Sequence, residues 1–173
     1  MQFEISETIQ ILGKTPGIIR MMLSGLNDKW IYSDEGQDTW SPYDVVGHYI
    51  HGEKTDWIPR MLIILSDNVD KRFTPFDRFA QLGDQKQTIE ERLKEFEELR
   101  KKNLQILEDA DLQSHMLSYT GIHPEFGEIN LQQLLAAWVV HDLNHIGQIA
   151  RVMAKQYKKA IGPWTAYLSI VNK

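Results

Sequence analysis

The chain has 173 residues, 42% of them hydrophobic and 25% charged, the balance of one soluble globular domain and not of a disordered tract. Its 19 Lys and Arg against 24 Asp and Glu leave a net charge of −5, which argues against a general nucleic-acid binder. With 0 cysteines, disulfides, thiolate metal sites and a cysteine nucleophile are all excluded.

The opening Met1-Gln2-Phe3-Glu4 lacks the basic and apolar pattern of a secretion signal. The longest apolar run, Leu134 to Val140, is far short of the roughly 20 residues that span a bilayer. The expectation is a cytoplasmic protein with no membrane partner and no nucleic-acid partner. No repeat, low-complexity tract or linker divides the sequence, so residues 1–173 are read as a single domain.

Apolar residues recur at three- and four-residue spacing through four long segments, and nothing alternates convincingly with period two. The first segment lies within 4–26, with Ile9, Leu12, Ile19, Met22, Leu23 and Leu26 inward. Pro16 after Thr15 predicts a kink or a restart there. The second begins at Ser41, an N-cap followed by Pro42 and by Asp44 as a capping box. It runs to about Ser66, with a kink expected at Pro59. The third opens with the Thr88/Glu91 capping box and ends near Asp109. Its charged stretch from Glu90 to Lys102 reads as a solvated face around Ile89, Leu93, Phe96 and Leu99. The fourth is capped by Asn130 with Gln133 and continues to about Tyr157, and a short final helix is expected after Gly162-Pro163. These segments predict an all-α fold, a four-helix bundle with a possible short fifth helix. Two of the connections run to about 20 residues, which predicts that at least one is a crossover or functional.

One stripe of the fourth helix reads Leu131, Leu134, Trp138, His141, His145, Gln148, Val152, spaced by threes and fours as an inward seam is. Two imidazoles and an amide interrupt its middle, and buried groups of that kind require partners. His141 and His145 lie one turn apart, the spacing by which HxxxH places two nitrogens on one ion. In the second helix, steps of seven carry Leu62 to Thr55 and His48, and Leu65 and Ile58 to His51. Either His48 or His51 could supply a third ligand. Three imidazoles with an open position are a catalytic pattern, suited to zinc, nickel, cobalt or ferrous iron.

Glu53 and Asp56 are candidates to orient a ligand imidazole or accept a proton, and Gln148 to bond within the site. His115 and His123 fall in the third connection and read as surface residues. His141-Asp142-Leu143-Asn144-His145 has the form of a zincin helix, but aspartate replaces the usual glutamate and the third ligand is missing downstream. No phosphate loop and no Gly-x-Ser-x-Gly elbow is present.

Three blocks together resemble the DinB/YfiT-like family of metalloenzymes. They are Trp40-Ser41 with Asp44-Val45-Val46-Gly47-His48, the run His123 to Asn130, and His141-Asp142-Leu143-Asn144-His145-Ile146-Gly147-Gln148-Ile149. Thr15-Pro16, with Leu23 and Leu26 behind it, fits the family's first helix. The resemblance implies a bundle with crossover-type topology, often a homodimer, and a divalent metal on His48, His141 and His145. It thus prefers His48 over His51, which becomes an additional or supporting residue with Glu53 and Gln148. It further implies a small-molecule substrate and, from relatives with assigned activities, an S-transferase that joins a low-molecular-weight thiol such as bacillithiol to an electrophile. Zinc or nickel is the expected ion. A metal-dependent hydrolase that activates water, and a non-catalytic module for dimerisation or ligand sensing, are the alternative expectations.

Overall fold

The computed structural model describes residues 2–83 and 86–172. Helix α1 (Ile5–Leu23) passes through Pro16 without interruption. A short α2 (Asp28–Tyr32), capped by Asn27, follows and was not expected from the sequence. Ser41 and Asp44 form the expected capping box of α3 (Pro42–Thr55). The second segment does not merely kink: α3 ends and α4 (Trp57–Leu65) starts anew, with Asp56 between them at φ −114°, ψ −75°. The break falls one turn before Pro59 because a proline ring clashes with the carbonyl four residues earlier, here that of Thr55. Helix α5 (Ile89–Asp109) and helix α6 (Leu131–Gln156) open on the Thr88/Glu91 and Asn130/Gln133 capping boxes.

Between α5 and α6 lies an antiparallel hairpin, β1 (Thr120–His123) with β2 (Gly127–Asn130). Four-residue strands are too short for an alternation signal, so the sequence reading had no strand here. The short final helix is realised as two 3₁₀ turns, Gly162–Ala166 and Ser169–Val171.

Helix α1 packs on α5 and α6, and α3 packs on the same two. Helix α1 is therefore diagonal to α3, and α5 to α6, while α3 and α5 are neighbours. The apolar residues form two separate clusters, one around Leu12, Trp57, Met61, Leu107 and Trp138, the other around Ile19, Tyr43, Val46, Phe96 and Ile149. Helices α1, α5 and α6 each contribute to both clusters, as do α3 and α4 taken together, and the order in which the clusters are met gives the direction. Helices α1 and α6 run one way, α3 and α5 the other. The chain leaving α4 must then return along the whole bundle before α5 begins, and residues 66–83 and 86–88 are the described parts of that crossover. Its start is pinned to β1, where Phe73 N donates to the Ile122 carbonyl and Ile122 N to the Lys71 carbonyl, both at 2.9 Å. Gly121 is required at this seam, since a Cβ there would lie 2.5 Å from Phe73 Cε1.

Between the two apolar clusters every long helix places polar residues in the interior: Thr15 on α1, Glu53 on α3, Arg100 and Asn103 on α5, and Asp142 on α6, all buried.

Candidate metal centre

The inward stripe of α6 holds as the spacing predicts, with Leu131, Leu134, Trp138, His145 and Val152 buried and His141 and Gln148 half-buried. His141 and His145 extend from this seam towards α3, where His48 is 5% exposed. One ring nitrogen from each of the three lies within 4.8 Å of the others. His48 Nε2 and His141 Nε2 face one another at 3.0 Å. Two nitrogens each roughly 2.0–2.1 Å from one zinc ion stand about 3–3.4 Å apart. The pair is thus spaced as two donors to one cation.

The tautomer of His145 agrees with this reading. The Gln148 amide oxygen, which only accepts, lies 2.7 Å from His145 Nδ1, so Nδ1 carries the hydrogen and Nε2 keeps its lone pair. Burial, and then the neighbouring imidazoles, push His48 down to about 3 and His145 down to about 4. Both rings are neutral at physiological pH and free to ligate.

Beneath the imidazoles sits a buried ionic network. Arg100, 1% exposed, donates through Nε and Nη2 to Glu53 Oε1 at 3.0 and 2.7 Å. The same guanidinium donates through Nη1 and Nη2 to Asp142 at 2.6 and 3.1 Å. Nη1 also reaches the Leu12 carbonyl at 2.7 Å, and Asn103 Nδ2 donates to Glu53 Oε2 at 2.9 Å. Burial raises the Asp142 carboxyl, but Arg100 outweighs it and holds the group below its ordinary value. Two carboxylates share one guanidinium, an excess of one negative charge within this network. Asp142 Oδ1 lies 3.8 Å from His141 Nδ1, an electrostatic contact longer than a hydrogen bond. Three clustered imidazoles above a buried network with one surplus negative charge fit a divalent cation.

The remaining expected residues fall as follows. His51 is outside the three-imidazole cluster; its ring packs on Phe76 at 4.8 Å and its Nε2 is 3.4 Å from Thr55 Oγ1. Glu53 bonds Arg100 and Asn103 and is linked to the imidazoles only by way of Arg100 and Asp142. Asp56 is paired with Arg60 and lines the cleft above the centre; burial raises its carboxyl, partly offset by Arg60. His115 is exposed, while His123 is half-buried and stacks on Phe126 at 4.4 Å.

Two sequence inferences are corrected. Leu62, the anchor of the count that led to His48, is 51% exposed, because a seven-residue step does not survive the break at Asp56. The stretch Glu90 to Lys102 is not wholly a solvated face, since Arg92 and Arg100 are buried. The missed residue Arg100 lies on the seam Leu93, Phe96, Arg100, Asn103, Leu107, spaced 3, 4, 3, 4 like that of α6, and this periodicity could have found it.

The centre forms the floor of a cleft of about 760 Å³. Trp40 stands beside it, 4.8 Å from His48 between ring centroids and stacked over His145 at 6.1 Å. The crossover supplies the facing wall with Phe76, Arg78, Phe79 and Leu82.

Fold and site together define a helical bundle with a three-imidazole centre at mid-height, open to a cleft. The family model of the DinB superfamily matches residues 12–149, the greater part of the sequence, and the chain belongs to that superfamily. Among solved structures the chain is similar to YfiT from Bacillus subtilis, described as a probable metal-dependent hydrolase with an unusual four-helix bundle topology. The two share 20% identity at a TM-score of 0.72, over 91% of this chain and 87% of that one. At that identity the likeness carries the fold alone. No curated protein matches the chain. Among the described residues no helix is long and apolar enough to cross a membrane.

Proposed function

We propose that this protein is a divalent-metal enzyme acting on small molecules, with His48, His141 and His145 as the ligands of one ion, zinc or nickel. The observation that carries this reading is the convergence of three imidazoles, within 4.8 Å, on the floor of a cleft large enough for a substrate. Held by these three residues, a divalent ion would lower the pKa of a bound thiol or water and so would supply a nucleophile at neutral pH.

The first reading is S-transfer, in which a low-molecular-weight thiol such as bacillithiol attacks a small electrophile. With 0 cysteines in the chain, a sulfur nucleophile has to be brought in from solution, and the cleft volume admits a thiol and its partner together. The second reading is hydrolysis. The specific observation favouring it is Asp56, a buried carboxyl with a raised pKa lining the cleft, where it can accept a proton from water. The description of YfiT as a probable hydrolase points the same way.

Cobalt-substituted protein separates these readings. A visible spectrum perturbed by thiol, with thiol-dependent conjugation, supports transfer. Amide or ester turnover without any thiol supports hydrolysis. Neither result, with His141→Ala changing only stability, leaves a non-catalytic module. The resemblance also supports a homodimer, which light scattering of the purified chain checks.

A further inference from the structure

Of the charged groups around the cleft, most already have a partner. Glu35 accepts from Arg151 Nε and Nη2 at 2.8 and 3.2 Å and lies 3.4 Å from Lys155 Nζ. Asp56 is held by Arg60. Arg78 differs: among the described residues no carboxylate forms an ion pair with it, and its guanidinium rests over the Phe79 ring at 5.0 Å. Asp38 is the remaining acid, on an exposed left-handed turn at the rim with φ 60°. Among the described residues the cleft therefore holds one unclaimed cation, the exposed Arg78, on its wall.

The surroundings of Arg78 are apolar and face the same space. Phe79 meets the edge of Trp40 at 6.4 Å, and Phe76 meets the edge of His48 at 5.5 Å. Phe79 and Leu82 are 53% and 43% exposed, although both are large apolar side chains on a packed crossover. The segment is locally braced: Phe79 N donates to Asp77 Oδ1 at 3.0 Å and Leu82 N to the Phe79 carbonyl at 2.9 Å. An apolar wall carrying one guanidinium, set across from the imidazoles, is complementary to a molecule with an apolar body and an oxyanion at one end.

We propose that Arg78 is the specificity residue of the cleft and that the molecule bound there carries an oxyanion, carboxylate or phosphate, joined to an apolar or aromatic body. The inference rests on reading the cleft as the substrate site of the metal centre. The oxyanion accepts from the guanidinium in the fork geometry that such groups share, while Trp40, Phe76 and Phe79 cover the body. This orients the far end of the ligand towards His48, His141 and His145.

Calorimetric titration of metal-loaded full-length protein tests this with phenylacetate, phenyl phosphate and the neutral phenylacetamide. We expect at least one anion to bind more tightly than the amide, and the comparison of the two anions identifies which oxyanion is preferred. Arg78→Met weakens the preferred anion roughly 10- to 100-fold and leaves the amide unchanged, whereas Arg78→Lys restores part of the loss. Equal affinity for anions and amide, no saturable binding of either anion, or an Arg78→Met variant that keeps the preference overturns the proposal. Metal content of the same preparations keeps the two readings apart. Arg78-dependent anion binding by a protein that takes up no metal sinks the metal reading and leaves this one standing. One ion per chain, with no effect of Arg78→Met, does the reverse.

Discussion

Arg100 completes what Pro16 leaves open. Having no N–H, Pro16 cannot bond the Leu12 carbonyl one turn earlier, and Arg100 Nη1 donates to that oxygen at 2.7 Å from the neighbouring helix. A proline inside α1 is thereby tolerated without a break, and the guanidinium gains a third acceptor beyond its two carboxylates. Arg100→Met strands Glu53 and Asp142 as buried charges. We expect a loss of about 3–5 kcal/mol in denaturant unfolding, with Arg100→Lys recovering only part because an ammonium lacks the fork.

Metal content is the most direct check on the centre. Near one ion per chain is expected in wild type, and near none in His48→Ala and in His141→Ala, by elemental analysis of untagged protein. Added metal should raise the wild-type melting temperature and leave both variants where they are, because only a ligand that binds the native state shifts unfolding. A wild type that refuses zinc and nickel contradicts this.

Gln148 separates orientation from ligation. Its bond to His145 Nδ1 fixes which nitrogen faces the cleft, and the residue itself is only half-buried. Gln148→Leu should weaken metal binding about 10- to 100-fold in competition with a chelator, at nearly unchanged stability. An unchanged affinity means the ring is held by packing alone.

Metal-free protein should lose stability on mild acidification. His48 and His145 resist protonation until about 3 and 4 in the folded state, against an ordinary value of 6.5. Between those limits the unfolded chain binds more protons, so stability falls as pH drops from about 6.5 and is flat above that range. Asp142, depressed by Arg100, adds a further loss only below its ordinary 3.8. Denaturant midpoints at a series of pH values test the window. A metal-free midpoint constant from 7 to 5 contradicts the burial assigned to these rings.

Two glycines predict opposite signs. A Cβ on Gly47 would stand 2.4 Å from Arg92 Nη1 and 2.9 Å from Gln81 Cβ, so the crossover docks on α3 only because this residue is glycine. Gly47→Ala should cost about 1–3 kcal/mol. Gly17, exposed in α1 with nothing within 4 Å, should tolerate alanine with a gain of about 0.5–1 kcal/mol. Thermal unfolding of the two variants decides both.

What the sequence made legible was local. Ser41 with Asp44, Thr88 with Glu91 and Asn130 with Gln133 act over three residues, and all three boxes form. His141 and His145 needed only one turn of helix. The count through Leu62 instead assumed one continuous phase and lost it at Asp56, although His48 is buried on α3 all the same. Arg100 was hidden by composition, since lysines and glutamates on either side mask a charge that faces inward. Asp142 was weighed as a possible base of a zincin helix, whereas its partner, Arg100, lies 42 residues away and is unreadable from spacing alone. The crossover's place over the cleft follows from helix direction, a property of the packed bundle.

The polar belt at mid-height also divides the protein into two halves that have little apolar contact with each other. Trp57, Met61 and Trp138 solve one packing problem, Tyr43, Phe96 and Ile149 another. Core substitutions in different halves should therefore combine additively, while any pair drawn from Glu53, Arg100, Asn103 and Asp142 should not. Mutational history in such a molecule can run separately at its two ends while the belt between them changes only in concert.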